Sequence, residues 1–176
     1  MRSWVLILIA CTMFGLDIGL KAFTHEHIPV MSAFFPAFPY GGIGVFHDWL
    51  GIDFSLNHVI NHGAAWGAFS KYREILLGLR IAMIIGMALY LIFYNKKGEH
   101  KLPLSLILTG ACANVLDYFL YGHVVDMFHF NFWGYSFAIF NIADATIFCG
   151  VCLLLLHPWL VKSKAGMQVL KKSPRL

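Results

Sequence analysis

The sequence predicts a helical membrane protein with four transmembrane helices and a small β-sheet on the outer face. Three observations carry that prediction. Hydrophobic residues make up 59% of the chain and charged residues only 12%, about half the charged share of a soluble domain. Four apolar runs are long enough to cross a bilayer, Trp4–Lys21, Ile75–Tyr94, Leu102–Tyr121 and Phe137–Val161. The basic residues fall on alternate connections. Residues 1–176 read as one integral membrane domain, in which the bilayer rather than a soluble core sets the architecture.

The first run contains Asp17 and Lys21, follows Arg2 and is not succeeded by a small-x-small site, so it reads as a retained helix rather than a cleaved leader. Residues 22–70 form a long loop without Lys or Arg, whereas Asn95–Lys101 carries Lys96, Lys97 and Lys101. The tail, residues 162–176, carries Lys162, Lys164, Lys171, Lys172 and Arg175. The positive-inside rule therefore puts both termini and the short loop in the cytoplasm, with the long loop and Gly122–Ser136 facing outward. That distribution accounts for the formal charge of +4 without nucleic acid, and the basic tail suits anionic lipid.

In the long loop Phe34, Phe35, Phe38, Tyr40, Phe46 and Trp49 suggest a surface resting at the lipid interface. Ile52–Ile60 alternates apolar and polar residues, with Val59 the exception, which predicts a strand ending at the turn-prone Asn61–Gly63. Phe128, Phe130, Phe132, Trp133 and Tyr135 predict a second interfacial element. Cys11, Cys112, Cys149 and Cys152 lie in apolar runs and read as buried thiols. Cys149-x-x-Cys152 lacks the βαβ context of a redox motif.

The chemistry lies in the polar residues inside the spans. Asp17 sits one turn before Lys21. Asn114 and Asp117, spaced i,i+3, share a face near the outer end of the third span, and Asn141 and Asp144 do the same in the fourth. Asp126 follows the third span directly. Four of nine acidic residues thus meet one membrane face, where Lys21 and Arg80 are too few to neutralise them. An ionisable group in a span costs roughly 3 kcal/mol on insertion scales, so such groups are paired or functional. Two close carboxylates in a dry pocket hold one proton between them, the arrangement of a general acid and a general base acting on water. Topology alone does not choose among Asp17, Asp117, Asp126 and Asp144. Taken singly, Asp126 also reads as a solvated loop acid and Asp144 as a carboxylate at a helix N-terminus. Asp17 reads as a structural partner of Lys21, Asn114 and Asn141 as packing amides, and Arg80 as a side chain snorkelling outward.

Rival chemistries fit less well. The outward histidines (His25, His27, His47, His58, His62, His123 and His129) scatter across loops without an H-E-x-x-H spacing, so a zinc peptidase is not indicated. A proton-coupled carrier would place acids near the midplane in symmetric halves. A lipid-binding scaffold leaves the clustered acids unexplained.

The run Thr109–Phe130 (TGACANVLDYFLYGHVVDMFHF), together with Ala138–Asp144 (AIFNIAD), resembles the lipoprotein signal peptidases, or signal peptidase II. Asn61–Phe69 (NHGAAWGAF) is similar to that family's N-x-G-A-A-F element, and Asp17 with Lys21 also matches. The resemblance implies a β-rich outer cradle and an outer interfacial helix. It implies an aspartic endopeptidase of the bacterial inner membrane, active toward the outer face, that cleaves prolipoproteins before a diacylglyceryl-modified cysteine. It makes Asp126 and Asp144 catalytic. Asn61, Gly63, Asn114, Asp117 and Asn141 become residues that shape the site, with Asp17 and Lys21 a supporting pair. No metal or cofactor is implied, and the expected partners are prolipoprotein signal peptides and membrane lipids, with the chain a monomer. One departure bears on the site. Tyr118 stands where the family has Arg after the aspartate, which leaves Lys21 or Arg80 to compensate Asp117.

Overall fold

A computed structural model describes residues 2–62, 72–95 and 98–172, with side chains described as far as residue 159, and among these residues it shows four helices and a four-stranded antiparallel sheet. Helix α1 is Ser3–His27, α2 is Arg73–Leu89 running on as a π-turn through Tyr90–Tyr94, α3 is Lys101–Tyr121 and α4 is Ile142–Lys172. All four contain a stretch long and apolar enough to cross a membrane. Helix α3 is the centre of the bundle and packs against α1, α2 and α4. No side chain of α2 is fully buried, and residues such as Ile75, Leu79, Met83 and Ile92 point outward, as suits a helix whose solvent is lipid.

The closest helix pair is α3 with α4, and small residues permit it. A Cβ on Gly110 would overlap the carbonyl oxygen of Ala143, and one on Gly150 would lie 2.7 Å from that of Pro103. Gly110→Val is therefore expected to lower stability by about 1–3 kcal/mol, the usual cost of overpacking. Thermal unfolding in detergent measures it, and an unchanged midpoint would contradict the contact.

Two differences from the expected elements have physical causes, and the cysteines differ as well. Helix α1 extends six residues beyond Lys21, where one polar side chain, Thr24, is covered by protein while His25, Glu26 and His27 stay exposed. Thr24 is buried, with its hydroxyl toward Met127 Sδ at 3.8 Å. Helix α4 begins at Ile142, not Phe137, and the apolar residues before it are bound to the sheet instead. Phe140 exchanges backbone bonds with Phe128 at 2.8 and 3.3 Å. The cysteines are free but not buried as expected: Cys11, Cys112 and Cys149 lie on exposed helix faces.

The sheet runs β1 (Ile43–Trp49), β2 (Ile52–Asn61), β3 (Val124–Phe132) and β4 (Tyr135–Ser136), in that spatial order. Strand β2 is the one the alternation predicts. Strand β1 occupies part of the aromatic loop, and β3 with β4 forms over the stretch expected to be a second interfacial element. In β3 Phe128, Phe130 and Phe132 alternate with His129 and Asn131, and Phe130 stacks on Phe54 at 4.3 Å between ring centroids. Among the described residues no helix lies between α1 and α2; residues 63–71, with Gly63, lie outside them.

Two local features aim the sheet at the bundle. Gly122 ends α3 with φ 76°, its N–H bonded to the Tyr118 carbonyl at 3.0 Å. This left-handed cap turns the chain straight into β3. Strand β2 carries one extra residue between Leu56 and Val59, a bulge that sets Val59 opposite Asp126 and explains the broken alternation.

Candidate active site

The site forms where β2, β3 and the start of α4 meet α3. Asp126 on β3 is 2% exposed. Its Oδ2 accepts from Asn61 Nδ2 at 2.9 Å, and its Oδ1 from Asn141 Nδ2 at 2.8 Å. Asp144, half-buried in the first turn of α4, accepts from Asn114 Nδ2 at 2.8 Å. Asn141 stands just before the helix, and its Oδ1 takes the Asp144 N–H at 2.8 Å. In return Asp144 Oδ2 lies 3.4 Å from the Asn141 N–H. This reciprocal cap satisfies backbone donors that a helix start leaves open. It also makes Asn141 the bridge between the carboxylates, holding Asp126 by its side-chain amide and Asp144 by its backbone.

Burial raises the Asp126 pKa to about 7, with a further push from the charge of Asp144. The Asn61 and Asn141 amides and the Lys21 charge oppose that rise. Asp126 therefore binds a proton near neutral pH, and Asp144 is close enough for its charge to be felt.

Behind the pair lies a buried ion cluster. Lys21 is fully buried, and its ammonium reaches Asp17 Oδ2 at 2.6 Å, Asp117 Oδ2 at 2.7 Å and Asn114 Oδ1 at 2.9 Å. Asp17 Oδ1 also accepts the Ala143 N–H at 2.7 Å, at the positive end of α4. Asp117 Oδ2 accepts the Val125 N–H at 3.3 Å. Lys21 thus compensates Asp117, while Tyr118 donates its hydroxyl to Glu74 at 2.6 Å. Every described residue that the sequence placed at the site joins this network. Asn61, Asn114, Asn141, Asp126 and Asp144 stand around the carboxylate pair, and Asp17, Lys21 and Asp117 stand behind it. Gly63 lies outside the described residues.

A cavity of about 590 Å³ covers both carboxylates, with Asn61, Asn114 and Arg80 among its polar walls. Arg80 is the further charged residue at this cavity. Among the readings the sequence allowed, a side chain snorkelling outward or one near the aspartates, the structure places it in the lining of this cavity. Its position seven residues into α2, on the same membrane face as the aspartates, was the available signal. The remaining walls are mostly apolar, from Phe137–Phe140 on the chain entering α4 and from Phe148 and Cys149. Phe148 is 68% exposed, so the cavity opens on the side of the bundle that faces lipid.

The histidines also depart from expectation. Three of those that looked scattered, His25, His58 and His123, gather at the junction of α1, β2 and the turn before β3.

A four-helix membrane fold with a carboxylate pair held by three asparagines under a small sheet defines a class of polytopic membrane proteins. Residues 9–160 match the family model of signal peptidase (SPase) II, and the chain belongs to that family. The lipoprotein signal peptidase of Chlamydia pneumoniae is 41% identical over 111 residues, covering 62% of this chain and 66% of the relative. That of Chlamydia trachomatis serovar D is 39% identical over 116 residues, or 65% and 70% of the two chains. The match thus spans about two thirds of the length of these curated relatives. A bacterial membrane enzyme solved in meso at 2.3 Å superposes with a TM-score of 0.70 at 25% identity, over 98% of this chain and 94% of that one. A second, at 1.9 Å, gives 0.68 at 27% identity over 86% and 90%.

Proposed function

We propose that the chain is an intramembrane aspartic endopeptidase that removes signal peptides from diacylglyceryl-modified prolipoproteins, cleaving before the lipidated cysteine. The observation that carries this reading is a carboxylate pair, one member binding a proton near pH 7, in a mostly apolar cavity open to the side of the bundle. Membership of the signal peptidase II family and relatives named lipoprotein signal peptidases support it. Such a cavity suits a substrate that is itself a membrane helix with an attached lipid, because both arrive within the bilayer and meet apolar walls.

Asp126 and Asp144 share one proton and titrate as a pair. The ionised member takes a proton from water as its oxygen attacks the scissile carbonyl carbon. The protonated member gives its proton to the carbonyl oxygen, forming the tetrahedral diol. Collapse of that diol breaks the C–N bond, and a proton passes to the departing cysteine nitrogen. The signal peptide leaves with a carboxyl end, and one proton remains on the pair. Asn61, Asn114 and Asn141 orient the carboxylates, while Lys21 with Asp17 and Asp117 fixes Asn114. The protein sits as a monomer in the bacterial inner membrane, both termini cytoplasmic and the site toward the outer face, where β1 and its exposed Val45 and Trp49 rest on lipid. No cofactor takes part.

The test is cleavage of a synthetic precursor by the purified chain in detergent. The expected product begins at the lipidated cysteine, by mass, and the same peptide with an unmodified cysteine stays intact. Cleavage elsewhere, or none, would refute the proposal.

The shared proton sets the pH dependence. Asp126 holds a proton below about pH 7, so turnover is expected to fall as pH rises above that value and the pair ionises fully. The same raised pKa stabilises the fold at low pH, and that contribution disappears as pH rises through about 7. Melting should therefore be followed beside the rate. A rate unchanged from pH 6 to about pH 9 would contradict a proton-bearing pair.

A further inference from the structure

The geometry points to a metal-binding site formed by His25, His58 and His123, taking a zinc-class divalent ion that ties α1 to the sheet. The three residues come from different elements. His25 lies near the end of α1, His58 in β2 at the bulge, and His123 in the turn between α3 and β3. Ring nitrogens of all three lie within 4.8 Å of one another.

Two of these rings carry an unmet need. His58 is 3% exposed and His123 9%, and the Nε2 atoms of both are buried without a hydrogen-bond partner. Buried polar atoms are nearly always satisfied, so two orphans facing one spot call for an occupant. For His58 the tautomer is fixed as well. Its Nδ1 lies 3.0 Å from the Ile28 carbonyl oxygen, which can only accept, so Nδ1 carries the hydrogen and Nε2 presents a lone pair. A backbone carbonyl holding the far nitrogen is the usual support of a metal-bound imidazole. Burial, and the neighbouring histidines, push the pKa of His58 and His123 below the ordinary value.

Ring packing alone does not explain the cluster. His25 lies against Tyr121 at 4.5 Å between centroids, which accounts for His25 and leaves both Nε2 atoms unmet. Zinc bonds of about 2.0–2.1 Å put tetrahedral ligands roughly 3.4 Å apart. The site closes to that spacing by rotation of His25, the exposed member at a helix end. His62, whose ring centroid is 5.7 Å from that of His123, or water fills the fourth position. Three imidazoles favour zinc, copper or nickel over magnesium or calcium.

The ion would not take part in hydrolysis. Lys21 precedes His25 by one turn, Asn61 follows His58 by three residues, and Asp126 follows His123 by three. A metal here clamps the three segments that carry Lys21, Asn61 and Asp126, and acts on stability.

The test uses the full chain without a polyhistidine tag, stripped by chelator and titrated with zinc chloride by calorimetry. Cobalt(II) absorption serves as the coordination probe. One zinc per chain is expected, with a raised melting temperature and a tetrahedral cobalt spectrum. His25→Ala, at an exposed helix position, and His123→Ala should each weaken zinc binding at least about tenfold and abolish the thermal shift. The His25 variant keeps the test decisive if removing a buried ring impairs folding. The chelated wild type should still cleave precursor. Zinc binding that is absent, or undiminished in His25→Ala, would overturn the site.

Discussion

Asp126→Asn and Asp144→Asn are each expected to lower precursor cleavage by about 10³-fold or more, with the protein still folded. The size follows from what each change removes. An amide at either position neither takes a proton from water nor gives one to the carbonyl oxygen, and positioned acid–base groups contribute roughly 10²–10⁴-fold each. Folding survives because Asn has the shape of Asp. At position 126 the new amide oxygen can keep the bond from Asn141 Nδ2. Its NH2 then faces Asn61, whose half-buried side chain turns to present oxygen. At position 144 the bond from Asn114 is kept, and only the 3.4 Å contact with the Asn141 N–H is lost. Groups that act as one unit are non-additive, so the double variant should be hardly slower than either single one. Turnover is measured with purified protein and lipidated peptide, beside a melting curve for each variant. Near-normal turnover in either single variant would end the two-aspartate assignment.

The parts legible in the sequence were those set by one-dimensional rules. Lipid selects continuous apolar runs, so the four spans could be read from hydropathy, and β2 followed from its alternation. The ends of α1 and α4 were missed because hydropathy measures solvent, not hydrogen bonding. Thr24 to His27 are polar but remain helical where the sheet shields Thr24, whereas Phe137 to Phe140 are apolar but pair with β3. Strand β3 had a period-two signal in Phe128, Phe130 and Phe132 that its aromatic content obscured.

At the site, spacing placed Asn114 with Asp117 and Asn141 with Asp144, because i,i+3 neighbours share a helix face. The structure corrects the second pair in detail, since Asn141 precedes the helix and reaches Asp144 as a cap. What no spacing encodes is contact between distant elements. Arg80 facing the cavity, Lys21 reaching Asp117 across 96 positions, and the meeting of His25, His58 and His123 all depend on how α1, α2 and the sheet pack on α3.

Lys21→Met should cost about 3–5 kcal/mol of stability, the range for breaking a buried ion pair from one side. The ammonium lies within 2.9 Å of oxygens of Asp17, Asp117 and Asn114, in a place where water does not reach. Methionine fills the same volume but leaves two carboxylates facing each other in a dry interior. The control is the triple variant Lys21→Met, Asp17→Asn, Asp117→Asn, which removes the stranded charges and should recover part of the loss, since neutral amides are cheaper to bury. Asp17→Asn alone should be milder, because Lys21 and Asp117 remain as a neutral pair. Denaturation in detergent separates these cases, and a Lys21→Met protein as stable as wild type would show that the cluster does not hold α1 to α3 and α4. The same lysine fixes the Asn114 amide by bonding its oxygen, which leaves the Asn114 NH2 for Asp144. Lys21→Met is therefore expected to slow cleavage even at temperatures where it stays folded. A loss of stability without any loss of rate would mean that Asn114 holds its orientation through Asn141 alone, whose amide lies 3.2 Å from the same oxygen.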